Sequence, residues 1–217
     1  MSKLSEILPD EVITVEQLGS PIGTLLDEEA ETLGQAVLSR REEFAAGRTC
    51  ARSALSALGV SPQPILRGLN REPIWPAGIV GSITHCDGYC AAAVARDHRI
   101  ESIGIDAEPN EPLPDGVIRE VALEDEIRAL ESLTSEHVNW DRLLFCAKES
   151  VFKAWYPIMK CWLGFEEAYV TIDPITMSFQ AQIRSNQLHT QETNSLCWHG
   201  RFTKSTNHIL TALVIYR

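Results

Sequence analysis

Glu108-Pro109-Asn110-Glu111-Pro112-Leu113-Pro114-Asp115-Gly116-Val117 is the stretch that decides how this chain is divided. Its three prolines and one glycine fit neither a helix interior nor a central strand, because proline removes a backbone donor and fixes φ. A boundary placed there gives an N-terminal subdomain over 1–108 and a C-terminal subdomain over 109–217. Upstream, residues 26–58 contain no proline and are rich in Ala, Leu, Glu and Arg. That predicts helix in two segments, with Gly34 and Gly47 as the candidate breaks and Gly59 as the stop. Pro62, Pro64, Pro73 and Pro76 predict a long loop over 61–78, and short strands follow at 79–84, 89–95 and 100–106. Downstream, helices are predicted near 118–131 and 140–157, with strands near 168–173, 177–184, 196–203 and 208–216. Each half reads as helical material followed by a small antiparallel sheet, an α+β fold.

At 217 residues with 44% hydrophobic and 23% charged residues, the chain can bury a substantial core, which excludes disorder or a coiled coil as its main state. A net charge of −11 argues against a general nucleic-acid binder, so any anionic ligand must be held by a local basic cluster. The first residues lack the apolar core of a signal peptide, and no run approaches the ~20 apolar residues of a membrane span. We expect a cytoplasmic protein with no membrane partner and with Cys50, Cys86, Cys90, Cys146, Cys161 and Cys197 reduced. Cys86 and Cys90 beside His85 have poor spacing for zinc.

Four groups of residues can do chemistry. If Gly104-Ile105-Asp106-Ala107-Glu108 is extended, Asp106 and Glu108 face the same way, and paired carboxylates call for a cation or proton between them. Such hard oxygen donors suit Mg²⁺, although a solvated strand end would carry the same pattern. In Phe145-Cys146-Ala147-Lys148-Glu149-Ser150-Val151-Phe152-Lys153-Ala154-Trp155, the residues Leu144, Ala147, Val151 and Trp155 form a core stripe. Glu149 and Lys153 lie one turn apart with aromatic neighbours, so they must be paired or meet a ligand: Glu149 a metal, Lys153 a phosphate. Gly81-Ser82-Ile83-Thr84-His85 ends a strand in two hydrogen-bonding side chains. Arg40, Arg41, Arg48 and Arg52 gather on one helix as an anion site, or else pair with Glu42 and Glu43.

Taken in order, Ser-Ile-Thr-His, Gly-Ile-Asp-Ala-Glu and Phe-Cys-Ala-Lys-Glu-Ser-Val-Phe-Lys-Ala-Trp resemble the Sfp/EntD-type 4′-phosphopantetheinyl transferases. The likeness is to their actinobacterial branch above all, over about residues 40–170, and takes in Arg40-Arg41-Glu42-Glu43-Phe44, Ile65-Leu66-Arg67-Gly68 and Trp162-Leu163-Gly164-Phe165. It implies a pseudo-twofold pair of similar α+β subdomains with the active site at their interface. The implied reaction moves the phosphopantetheine arm of coenzyme A to a serine hydroxyl of an apo acyl or peptidyl carrier protein, releasing adenosine 3′,5′-bisphosphate. By the same resemblance Asp106, Glu108 and Glu149, with the carbonyl of Ala107, would hold Mg²⁺ or Mn²⁺. Glu149 would be the base, with Asp106 and Lys153 the other catalytic groups. Arg40, Arg48, Arg67, Gly68, Leu69, Asn70, Thr84, His85, Lys148 and Leu163 would contact coenzyme A. A monomer is expected, and apolar residues around Leu113–Leu123 are candidates for carrier docking. The sequence departs from the wider family at Glu72, where many members carry lysine, with Arg67 and Arg71 as substitutes, and at Ser82 and Ser150. A metal-dependent phosphohydrolase and a non-catalytic coenzyme A or carrier-binding module are the rival readings.

Overall fold

The computed structural model describes residues 3–133, 137–185, 196–205 and 207–217. Residues 186–195, for which the sequence suggests no role, lie outside that set. The helices are α1 (Asp27–Glu31), α2 (Leu38–Ala57), α3 (Ile118–Val121), α4 (Glu124–Glu131) and α5 (Trp140–Met159). The strands are β1 (Ile13–Leu18), β2 (Ile79–Cys86), β3 (Tyr89–Arg96), β4 (Ile100–Pro109), β5 (Ala168–Asp173), β6 (Ser178–Ile183), β7 (Leu196–Lys204) and β8 (His208–Tyr216). They form two antiparallel sheets, ordered β1-β3-β2 and β4-β8-β7-β6-β5.

Period-two side-chain alternation explains the layering. On β3, Cys90, Ala92 and Val94 pack with Ala46, Cys50, Ala51, Ala54 and Leu55 of α2. Tyr89, Ala91, Ala93 and Ala95 turn the other way, onto Ile103, Ile105 and Ala107 of β4 and Leu210 and Ala212 of β8. The opposite face of the second sheet carries Ile209 and Leu213 against Leu144, Ala147, Val151, Ala154 and Trp155 of α5. The order is therefore helix, sheet, sheet, helix, and the stripe expected on α5 is buried.

Three features differ from the sequence expectations. Within 26–58 the break comes at Gly34 (φ +54°), whereas Gly47 lies inside α2. A Cβ on Gly47 would come within 3.0 Å of Ile83, so its small size serves close helix–sheet contact. A strand not anticipated from the sequence, β1, edges the first sheet; its apolar alternation is reduced to Ile13 and Val15. Finally β4, which precedes the proline-rich loop, joins the C-terminal sheet through β8, pairing Gly104 with Leu213 and Asp106 with Thr211. The strand is apolar on one face and small or polar on the other, so it fits between the first sheet and α5.

Among the described residues no helix is long and apolar enough to cross a membrane. The six cysteines are free thiols. At Gly104 a Cβ would overlap the Ser150 carbonyl of α5, a backbone atom that cannot swing aside. Gly104→Ala should therefore destabilise the protein by about 2 kcal/mol or more. Urea unfolding would check this, with the control Gly19→Ala, whose Cβ meets nothing within 4 Å, showing only the smaller strain of its positive φ.

Candidate functional site

β4 and α5 place the acidic groups. Because β4 is extended, Asp106 and Glu108 lie on the face that Gly104 opens to α5, and α5 answers with Glu149 and Lys153 one turn apart. Asp106 Oδ1 accepts hydrogen bonds from Lys153 Nζ at 2.6 Å and from the Thr84 hydroxyl at 3.0 Å. Asp106 Oδ2 is buried with no partner. Glu108 accepts a bond from Arg142 Nη1 at 2.9 Å, and Arg142 also donates to the carbonyls of Glu111 and Pro112. Arg142 thereby fastens the proline-rich loop to Glu108. Spacing could have found it: Arg142, Phe145, Glu149 and Lys153 share one helical face.

The crowding leaves an electrostatic mark. Burial, then the charges of Asp106 and Glu108, pushes the Glu149 carboxyl up to about 7, with Lys153 opposing. Glu108 is raised by burial and by Asp106 against the pull of Arg142. Burial pulls Lys153 down, but Asp106 and Glu149 outweigh it and hold the ammonium above its ordinary value. Cys86 is pushed up to about 12 by burial and by Glu108 and Asp106, which makes it a poor nucleophile.

Asp106, Glu108, Glu149 and Lys153 line a cavity of about 320 Å³ together with Arg40, Arg48, Arg67, Arg71, Thr84 and His85. The arginines expected to gather on α2 divide. Arg40 bonds Glu43 and His85, each at 3.1 Å. Arg48 lies over the Phe44 ring and gives Nε to the Ile65 carbonyl at 2.6 Å and Nη2 to that of Leu66 at 3.3 Å. Burial lowers its pKa to about 10. Arg52 pairs with the fully buried Glu29, and Arg41 bonds the Gly34 carbonyl; neither lines the cavity. His85 is lowered, first by burial and then by Arg40 against Glu43. It therefore stands neutral near pH 7.

The loop before β2 closes one wall. Gly68 and Glu72 are bonded through their backbones, the Asn70 amide N–H meets the Glu72 carboxylate, and Asn70 Nδ2 reaches the Tyr156 hydroxyl of α5 at 2.5 Å. Leu69, at the tip, is fully exposed. Arg71 and Pro73 line both this cavity and a second of about 510 Å³, which also borders Glu149 and Lys153 and is lined by Ile74, Trp75, Phe152 and Tyr156.

Two expected contacts sit elsewhere. Lys148 is buried, donating to the Val121 carbonyl, the Phe165 carbonyl and Glu126 at 2.9, 2.9 and 2.7 Å. All three ammonium donors are spent, so Lys148 does not face the 320 Å³ cavity. Its buried partner Glu126 also accepts from the amides of Leu123 and Val170. The signal was available: Lys148 lies between Leu144 and Val151 on the core side, and a buried cation needs a partner. Leu163 is buried beside Lys148, Phe152 and Trp162 around a void of about 20 Å³. Among the described residues no three His, Cys, Asp or Glu side chains converge as a metal cluster. Glu108 is drawn onto Arg142, and Asp106 Oδ1 onto Lys153.

Comparison with known proteins supplies the class. A model of the 4′-phosphopantetheinyl transferase N-terminal domain matches residues 28–95, and one of the 4′-phosphopantetheinyl transferase superfamily matches residues 102–212. The chain belongs to the 4′-phosphopantetheinyl transferase superfamily. It is 40% identical to the 4′-phosphopantetheinyl transferase PptT of Mycobacterium tuberculosis over 98% of this chain and 97% of that one. It is 51% identical to Svp of Streptomyces mobaraensis over 75% and 67% of the two chains, and 45% identical to Npt of Nocardia iowensis over 85% and 86%. The protein is thus an Sfp-type enzyme with 4′-phosphopantetheinyl transferase activity.

Two outcomes test this geometry. Lys148→Met leaves Glu126 buried and unpaired and should cost about 3–5 kcal/mol in urea unfolding. The double variant Glu126→Gln, Lys148→Met should recover much of it and bind coenzyme A with unchanged affinity. For Glu149 the folded pKa of about 7 exceeds the ordinary carboxyl value of 4.5, so the free protein loses stability as pH rises between them. Glu149→Gln should accordingly raise the melting temperature at pH 8 and leave it nearly unchanged at pH 4.5, by calorimetry.

Proposed function

We propose that the reaction takes place where the two halves meet, in the cavities around Asp106, Glu149 and Lys153. The nucleotide end of coenzyme A lies toward Arg40, Arg67 and His85, and its pantetheine arm lies along the apolar wall of Ile74, Trp75, Phe152 and Tyr156. The observation that carries this reading is the crowding of negative charge: half-buried Glu149 raised to about 7 beside the buried Asp106, whose Oδ2 has no partner. Such donors suit a hard divalent cation that takes one or two carboxylates and completes its shell with phosphate and water oxygens. Asp106 and Glu149, with Glu108 and the Ala107 carbonyl, would hold Mg²⁺ or Mn²⁺. When bound, the ion offsets charge on the pyrophosphate oxygens.

The side chains then divide the work. Arg40 and Arg67 hold phosphate by charge, and neutral His85 adds a ring N–H donor. Glu149, poised near neutrality, takes the proton from a serine hydroxyl of the apo carrier. The serine oxygen bonds the β-phosphorus, the pyrophosphate P–O bond breaks, and adenosine 3′,5′-bisphosphate departs while Lys153 offsets its charge. Phosphoryl transfer of this kind needs positioning and charge compensation, with no covalent enzyme intermediate. We assign the enzyme to the cytoplasm as a monomer. Its acceptors are acyl or peptidyl carrier proteins of fatty-acid, polyketide, non-ribosomal peptide or siderophore synthesis.

Mass spectrometry of an apo carrier incubated with the enzyme, coenzyme A and Mg²⁺ tests this. A phosphopantetheine adduct on serine is expected, and its absence on every one of several carriers would overturn the reading. Hydrolysis of coenzyme A at equal rate without a carrier would point instead to a phosphohydrolase. Glu149→Gln should lower kcat at least ~100-fold, in the range of lost general-base and charge effects together, with a far smaller change in coenzyme A affinity by calorimetry.

A further inference from the structure

The motif Ser82-Ile83-Thr84 does something at the junction of the sheets that a phosphate-binding role does not require. β2 and β4 lie side by side but belong to different sheets: the backbone of β2 pairs with β3 and that of β4 with β8. The polar links between them are side-chain hydroxyls. Ser82 Oγ accepts from the Ile105 amide at 3.2 Å, and Thr84 Oγ1 accepts from the Ala107 amide at 3.0 Å. Thr84 then spends its own proton on Asp106 Oδ1, also at 3.0 Å. Both hydroxyl residues are buried.

We propose that Thr84 is a positioning residue, whose hydroxyl, fixed by the Ala107 amide, aims the Asp106 carboxylate at the reaction centre. This rests on the transferase reading above. Oδ1 has two lone pairs, one occupied by Thr84 and the other by Lys153 at 2.6 Å, so while both bonds stand a further ligand of Asp106 must use Oδ2, the buried oxygen that has no partner. Of the two bonds, only that from Thr84 survives when Lys153 turns toward a phosphate, because the Thr84 hydroxyl is already held by the backbone of the same strand. The β-branch of threonine restricts χ1, which favours keeping the buried hydroxyl in that one direction. Thr84 therefore acts through Asp106 and leaves contact with coenzyme A to the arginines and His85. Ser82 makes the matching bond at Ile105 without touching a carboxylate, so it ties the strands without aiming anything.

The test compares Thr84→Val, Thr84→Ser and Ser82→Ala, measuring kcat and KM for coenzyme A in carrier modification and, separately, coenzyme A affinity by calorimetry without added metal. The wild-type enzyme in the same assay shows whether the transferase reading itself holds. Expected for Thr84→Val is a kcat at least tenfold down, with KM and calorimetric affinity within about twofold, while Thr84→Ser recovers kcat to within about threefold. Ser82→Ala removes a strand bond of the same kind and should keep kcat within about threefold. A tenfold weaker coenzyme A affinity in Thr84→Val with kcat retained would overturn the proposal in favour of a nucleotide contact. Equal kcat losses in Thr84→Val and Ser82→Ala would overturn it in favour of plain strand attachment. If Thr84→Val fails to fold, Thr84→Ser against Thr84→Cys, a weak donor of similar size, decides: equal kcat in the two would contradict the proposal.

Discussion

The close pair of Asp106 and Lys153, made where β4 meets α5, is the interaction around which the molecule is arranged. A carboxylate taken out of water is tolerated only with a cation and hydrogen-bond donors at hand. Here they come from two directions: Thr84 from β2 in the first sheet and Lys153 from the helix on the far side of the second. Satisfying Asp106 therefore requires both sheets and α5 to be in register. Gly104, two residues earlier, sets the closeness of that approach, since only a residue without a Cβ lets the Ser150 carbonyl rest against the strand.

The arrangement favours reactivity over stability. Two further carboxylates, Glu108 and Glu149, are packed near Asp106, and only Glu108 has its own arginine. Glu149 is left with a shared lysine and a raised pKa. Strain of this electrostatic kind is common where catalytic groups are gathered, and it is relieved when the charge meets its ligand. The rest of the second half is correspondingly well tied. The Lys148–Glu126 pair joins α5 to α4, to the end of α3 and to β5, so the base is carried on a helix fixed at the adjoining residue.

Much of the fold was legible because periodicity reports burial directly. The α5 stripe, the strands of both halves and the period-two pairing of Asp106 with Glu108 follow from spacing alone. The membership of β4 did not, since a strand that is apolar on one face can complete either sheet and only its partner β8, about a hundred residues later, decides. β1 was missed for a similar reason: an edge strand with one half-buried face carries little apolar signal. At the site, residue types identified the chemistry, but not which charges were already spent. Lys148 and Lys153 look alike in sequence, yet one has all three donors on protein oxygens while the other meets Asp106 and borders both cavities. Arg52 and Arg48 are separated in the same way by Glu29 and by the carbonyls of the 65–66 loop.

The two sheets and α5 crowd Asp106, Glu108 and Glu149 together, so that Glu149 is poised near neutrality. Carboxyl carbon NMR of the free enzyme, with Glu149 assigned through Glu149→Gln, measures this directly. Expected is a midpoint near 7 that falls by a unit or more in Asp106→Asn, where the largest neighbouring charge is gone. A Glu149 midpoint in the ordinary carboxylate range, unmoved by that substitution, would contradict it.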